Sequence, residues 1–293
     1  MSRATWGIVE PALGLYRAKM RLRVGSVPYL VARPLNHGLE SDERIELSRE
    51  VPARLIERLR AGALDVALVS SIELFRQPGY GYLAGPAVAG RGYVASVQVF
   101  LRRPVGSLTS VVLDPSSRTS QALALIVLAR REPGVRFREV ELGEDPRAAA
   151  ERDGAGGWLR IGDRALVEAL GPAAPPSFNP SAAWSEDTGL PFVFAVWIVR
   201  PGLELSAPQI EAFSAARARG REAVESFARE AAEALGLPLE PCRKYLRAEC
   251  LYEPGAELEP ALLRFRDEAA RLGLCRGDVT PRAIAVGGAA CRA

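Results

Sequence analysis

This sequence has little of what most cofactor-dependent chemistry needs. One histidine occurs in 293 residues, and the four cysteines, Cys242, Cys250, Cys275 and Cys291, all lie in the C-terminal fifth with no CxxC spacing. That argues against a zinc site and for reduced thiols. No segment approaches eighteen uninterrupted apolar residues, so no transmembrane helix is expected. The N-terminus has no basic-then-apolar leader, which argues against export and for a cytoplasmic location. There is no long Lys/Arg block and no aromatic-basic interleaving, and the net charge is only +3, so neither nucleic acid nor a membrane is an expected partner. The basic residues are nearly all Arg, which reads as genomic bias. At 48% hydrophobic and 25% charged, the composition is that of an ordinary globular protein long enough for two domains.

The most informative stretch is Val111 to Ala129, VVLDPSSRTSQALALIVLA. Apolar β-formers run into Asp114-Pro115, then a cluster of Ser116, Ser117, Arg118, Thr119 and Ser120, then a helical run. A strand, a hydroxyl-rich loop and a helix N-terminus follow in that order. Unpaired N–H groups and the helix dipole make such a start receptive to an anion. The loop lacks the glycines of a P-loop, so a small carboxylate is a better guest than a nucleotide. Serine and threonine also simply cap helices, and this segment alone leaves both readings open.

Elsewhere the pattern is strand, helix, strand. Met20 opens the strand MRLRVGSV and is read as the natural start, with residues 1 to 19 an extension. A strand near Ile45 to Glu50, a helix from Pro52 to Ala61 and a strand from Leu64 to Val69 form a β-α-β unit, implying a parallel pair. Ser70 and Ser71 then fall at a strand's C-terminal end, where open α/β sheets bind ligands. Residues 94 to 101 form a strand leading to Arg102, Arg103 and Pro104, read as a crossing between lobes. The second β-α-β unit runs from Val111 to Glu141. Residues 171 to 181 form a Pro-rich loop, and Pro191 to Val199 is read as the second crossing. From Pro208 the pattern is helical, broken at Gly236 and Gly273.

Two crossings imply an inserted lobe. The expected fold class is α/β, a two-lobed type II periplasmic-binding-protein-like fold with a central cleft. Lobe one comprises residues 20–102 and 197–280, and lobe two residues 103–196. Around the cleft the strand ends supply Tyr29, Ser70, Ser71 and Glu73 from lobe one, Ser116 to Ser120 and Asp163 from lobe two, and Thr188 beside the second crossing. These hydroxyls, with Arg118 as a charge partner, suit a carboxylate and no metal. Asp163 reads more readily as a helix cap or partner of Arg164 than as an acid or base, and Glu73 as a helix start. His37 reads as a surface or capping residue, and no Ser-His-Asp triad is plausible.

The stretches RLRVGSVPYLVARPLNHGLE, LRAGALDVALVSSIE, VVLDPSSRTSQALALIVL, LRIGDRAL and DTGLPFVFAVW together resemble the chorismate dehydratases of menaquinone biosynthesis by the futalosine pathway. The resemblance extends from Met20 to about Leu274. It implies a carbon-oxygen lyase (a hydro-lyase) that uses no cofactor and no metal and converts chorismate to 3-[(1-carboxyvinyl)oxy]benzoate and water. It also places Ser70, Ser71, Ser116, Ser117, Arg118, Thr119 and Ser120 on the substrate. Where this family commonly has Asn after the Tyr-Leu of the first loop, this sequence has Val31. Either a neighbour such as Asn36 or a water fills that role, or this copy is slow, altered in substrate, or only a binder. The alternatives are therefore a non-catalytic cytosolic carboxylate-binding protein and the related dihydroxynaphthoate synthase. The latter relies on a histidine in the second lobe, where this sequence has none. The catalytic base and the oligomeric state are not assigned by the sequence.

Overall fold

The structure, a computed structural model, describes residues 21–286. Met20, the extension before it and Cys291 lie outside the described residues. The chain begins with β1 (Leu22–Ser26), a short helix α1 (Arg33–Asn36), β2 (Ile45–Arg49), α2 (Pro52–Arg60), β3 (Val66–Ser70) and β4 (Gly81–Gly90). It continues through β5 (Val97–Leu101), β6 (Ser110–Leu113), α3 (Arg118–Arg131), β7 (Arg136–Glu139), α4 (Pro146–Arg152) and β8 (Gly157–Ile161). Next come α5 (Gly162–Leu170), β9 (Ser177–Phe178), α6 (Pro180–Thr188) and β10 (Phe192–Val199). The C-terminal part comprises α7 (Ala207–Glu222), α8 (Val224–Leu235), α9 (Leu239–Lys244), β11 (Cys250–Leu251), α10 (Leu258–Arg271) and β12 (Arg282–Ala285).

Two sheets result. The first has the order β11-β4-β10-β3-β1-β2, with β12 also on β4, and the second the order β7-β6-β8-β5-β9. Burial explains the strand order. β3 (VALVS) is buried at every position and takes the middle of its sheet, between β1 and β10. β2 (IELSR) is largely solvated and takes the edge. β2 and β3 are parallel, as their β-α-β order implies, but they are not neighbours, because β1 inserts between them and pairs with both. In the second sheet β6 and β7 are adjacent and parallel.

Both crossings lie earlier than the sequence suggests. β5 pairs antiparallel with β8 and β9, so it belongs to the second sheet, and the chain changes lobe over residues 91–96. Arg102 and Arg103, read as a lobe change, instead begin a turn within that sheet, where both backbone N–H groups donate to Gly156 O. β10 pairs with β4 from Phe192 to Val199 and with β3 from Ala195 onward, so it is a strand of the first sheet and the second crossing is confined to residues 189–191. The aromatic rings of Trp184, Phe192 and Phe265 meet beside this crossing, with Trp184 to Phe192 centroids 5.3 Å apart and Phe192 to Phe265 5.0 Å, at near-perpendicular angles. Part of the Pro-rich loop adds the short edge strand β9. The helical C-terminal region carries two strands, β11 and β12, that its periodicity conceals. Among the described residues, no helix is long and apolar enough to cross a membrane.

Lobe one is further held by an ion cluster at the N-terminal end of β3. Asp65 accepts from Arg23 Nε at 3.0 Å and Nη2 at 2.9 Å, and from Arg200 Nε at 2.9 Å. Burial pushes this carboxyl up, but the bonds from the two arginines outweigh it and hold the group at about 2. A depressed carboxylate stabilises the fold above its unfolded value and loses that contribution as pH falls through the folded value. Discounted for water around the half-exposed arginines, the cluster contributes about 1–2 kcal/mol at neutral pH. Asp65→Asn is therefore expected to lower stability by that amount at pH 7, with the difference from the parent closing between about pH 4 and pH 2 in chemical denaturation.

Candidate functional site

At the start of α3 the sequence builds its own scaffold. Asp114, at the end of β6, accepts the N–H of Ser116 at 2.9 Å, and its carbonyl accepts Gln121 Nε2 at 2.9 Å. Ser117 is the helix cap, with extended backbone and a hydroxyl that accepts Ser120 N at 3.3 Å and donates to Ser120 Oγ at 3.0 Å. Three apart on a helix, Ser117 and Ser120 share a face, and both line a cavity between the lobes.

The two residues between them face elsewhere. The Thr119 hydroxyl crosses to lobe one, accepts the N–H of Ile72 at 3.1 Å and lies 3.4 Å from Ser71 Oγ. Ser71 Oγ in turn donates to Val193 O at 2.7 Å. Both residues are fully buried and join the lobes. The Arg118 guanidinium turns to the surface, where it pairs with Glu139 and donates to Gln121 Oε1 at 3.1 Å. It is absent from the cavity wall, so the expected charge partner for a carboxylate is engaged outside the cleft.

The cavity holds about 80 Å³ and opens to solvent at its mouth. From lobe one it takes Val27, Tyr29, Val31, Ser70 and Ala195, and from lobe two Ser117, Ser120, Ile161 and Gly162. Ser70 and Ala195 are paired across β3 and β10, which places one hydroxyl on the floor. Tyr29 lies against Gly162, and its hydroxyl is pushed up to about 12 by burial and by the charges of Asp114 and Asp163. Ser116 sits beside that hydroxyl, at an adjoining opening also lined by Pro28, Asp114 and Asp163.

Three other expected residues are structural. Thr188 closes α6, donating to Trp184 O at 2.8 Å and accepting Leu190 N at 3.2 Å. Glu73 is fully buried and holds Arg60 bidentately at 2.7 and 2.8 Å. Asp163 receives the N–H of Leu30 from the opposite lobe, at 3.0 Å to Oδ1 and 3.3 Å to Oδ2. Burial raises the Asp163 carboxyl, partly offset by that bond and by Arg33. His37 lines a separate cavity with Arg33 and Glu40, its ring edge-on to Phe227 at 5.2 Å. Asn36 donates to Ser26 Oγ at 2.9 Å in that same region and does not substitute for an amide at Val31.

Ser96 and Cys250 line the cavity and escaped sequence reasoning. Ser96 sits in VASVQVF, which reads only as an apolar strand, and its lobe-crossing position is tertiary information. Cys250 lies in a stretch of helical appearance. Burial pushes its thiol up to about 12, so it is neutral at physiological pH. Among the described residues, no charged side chain lines this cavity. Its polar groups are hydroxyls, one thiol and the backbone at the start of α3, set in a wall of Val27, Val31, Val88, Val94, Val97, Ile161 and Phe194. Such a site orients a small molecule with a ring-sized apolar body and a polar edge.

A family model described as menaquinone biosynthesis matches residues 22–271. The chain belongs to this family. Among curated relatives, it is 33% identical over 235 residues to the chorismate dehydratase of Thermus thermophilus, covering 74% of this chain and 84% of that one. It is 32% identical over 169 residues to the chorismate dehydratase of Campylobacter jejuni, covering 57% of this chain and 58% of the relative. Among solved structures, a protein of Archaeoglobus fulgidus superposes with TM-score 0.70 at 17% identity over 87% of this chain and 98% of its own. The alkanesulfonate-binding protein of Xanthomonas axonopodis, bound to MOPS, gives TM-score 0.59 at 17% identity over 87% and 94%. These structures establish the two-lobed periplasmic-binding-protein-like fold.

The division of labour within the SSRTS loop is testable. Thr119→Val keeps the shape but leaves the buried Ile72 N–H without its acceptor. It is expected to cost about 1–3 kcal/mol in thermal or chemical unfolding. Arg118→Ala, at the surface, is expected to stay within about 0.5 kcal/mol of the parent in the same measurement.

Proposed function

We propose that the protein is a chorismate dehydratase acting in menaquinone biosynthesis in the cytoplasm, without metal or organic cofactor. The reading is supported by the family membership and by one observation above all: a cleft cavity whose polar side chains are uncharged, with Ser117 and Ser120 at the start of α3 among them. The reaction needs little more. The proton to be lost sits on the ring carbon bearing the ether, conjugated through a ring alkene to the carboxylate. The electron pair released from that C–H bond delocalises into the ring carboxylate. It then breaks the C–O bond on the adjacent carbon, and the departing hydroxyl takes up the proton removed in the first step and leaves as water, giving an aromatic ring.

Ser117, Ser120 and the free N–H groups at the start of α3 take the ring carboxylate, where charge grows in the transition state. Preorganised donors of this kind each contribute roughly 3–4 kcal/mol. No carboxylate or imidazole lines the cavity to act as base: Glu73 is held by Arg60, Asp163 by Leu30 N–H, and His37 faces another cavity. The substrate's own enolpyruvyl carboxylate therefore fills the role of base.

The second reading is a non-catalytic carboxylate-binding protein. One observation favours it: Val31 lines the cavity and offers no hydrogen bond to a departing hydroxyl. Incubation of the purified protein with chorismate decides between the two. Loss of the diene absorbance with appearance of the aromatic product is expected, whereas binding without consumption would leave only the second reading. Ser117→Ala is expected to lower kcat by about 10²-fold, while Arg118→Ala leaves it within about twofold. An unchanged rate in Ser117→Ala would remove α3 from the substrate. Val31→Asn is expected to raise turnover at least about tenfold by restoring a donor. A rate at or below the parent's would show that the cavity does not miss the amide.

A further inference from the structure

The loop that carries Tyr29 and Val31 into the cavity leads directly into a helical turn, Leu30–Ala32, continued by α1. Its own cap residue, Tyr29, offers no side-chain acceptor to that turn. A helix start without an acceptor leaves exposed N–H groups, and a serine, threonine or aspartate next to it in sequence normally supplies one. Here the acceptor comes from 133 residues away and from the other lobe: Asp163 takes the Leu30 N–H with both oxygens, at 3.0 and 3.3 Å.

The neighbours of Asp163 reinforce the contact. Gly162, at φ +67°, brings the backbone flat against the Tyr29 ring, where even a Cβ would stand only 3.5 Å from it. The Gly162 N–H donates to Ser96 O at 2.9 Å. A single tripeptide at the junction of β8 and α5, Ile161-Gly162-Asp163, thus meets the Tyr29 loop and the first interlobe crossing at once, with Ile161 and Gly162 on the cavity wall. A cap within one lobe would stabilise that lobe in any arrangement. A cap delivered across the cleft contributes only when the lobes are together, so it acts on the equilibrium between open and closed forms.

We propose that Asp163 is a positioning residue that caps the Leu30 turn from the opposite lobe, holding the cleft closed and setting Tyr29 and Val31 against the substrate. It touches no reacting atom. A hydrogen bond to a charged acceptor of this kind shifts such an equilibrium by about tenfold or more. The apparent affinity for substrate follows the fraction of closed protein.

Small-angle scattering of the full chain without substrate tests this independently of the reaction, and kinetics with chorismate test it through the proposed activity, on which that arm alone rests. Asp163→Ala is expected to enlarge the radius of gyration and to raise KM for chorismate about tenfold, with kcat falling less than KM rises. Asp163→Asn, whose amide oxygen still accepts, is expected to recover most of both losses. Leu30→Pro supplies the decisive background. It deletes the N–H at a first helical position, and Tyr29 at φ −76°, ψ 152° already has the backbone that a following proline requires. In that background Asp163→Ala should add nothing to either reading.

Three results would overturn the proposal: scattering and KM unchanged in Asp163→Ala, Asn no better than Ala, or a full Asp163→Ala effect persisting beside Leu30→Pro. If Leu30→Pro does not fold, the comparison of Ala with Asn still decides. If the parent does not consume chorismate, the functional reading fails while the scattering result stands on its own.

Discussion

One buried hydroxyl joins the two halves of this molecule at the point where they need to meet. Thr119, in the first turn of α3, accepts the N–H of Ile72 just beyond the end of β3, with Ser71 alongside bonded to Val193 O. Because all of these groups are fully buried, the bond cannot be exchanged for water without leaving a polar group unsatisfied. It brings the start of α3 over the end of β3, which sets Ser117 and Ser120 opposite Ser70 on the cavity wall. Ser117 and Ser120 face inward because Thr119 faces across.

The electrostatic character of the site follows from the same arrangement. The chain is rich in arginine, yet among the described residues no guanidinium lines the cavity, and several are held in ion pairs elsewhere: Arg118 with Glu139, Arg60 with Glu73, Arg23 and Arg200 with Asp65. The cavity is left with neutral donors and apolar side chains. In such surroundings charge that develops during a reaction is met by fixed dipoles, which need not reorganise, rather than by a full countercharge. The departures from the expected site are consistent with this. Of the expected side chains that do not line the cavity, Arg118, Glu73 and Asp163 are ionisable, the hydroxyls of Ser71, Thr119 and Thr188 bond to backbone, and Ser116 sits at the adjoining opening.

Much of the fold was legible because local patterns carried it. The apolar run of β3, the Pro at the start of α2, the strand-loop-helix of VVLDPSSRTSQAL and the interrupted order of strands and helices led to a two-lobed α/β architecture. What misled was context. A pair of arginines after a strand looks the same whether the chain then changes lobe or merely turns, and only the pairing of β5 with β8 and β9 distinguishes the two. β11 and β12 are too short, or too ordinary in composition, to announce themselves beside helices.

By itself, the sequence determined the type of fold, the family through its motifs, and the hydroxyl-rich helix start as the feature to follow, because these depend on periodicity, capping chemistry and residue order. The tertiary structure decided which hydroxyls face the cavity and which join the lobes. It also decided that Ser96 and Cys250 belong to the wall and that Asp163 caps a turn it is far from in sequence. The physical reason is that side chains one residue apart on a helix diverge by about 100°. A run such as SSRTS therefore divides its members between ligand, partner lobe and solvent, and only the placement of the neighbouring lobe says which is which.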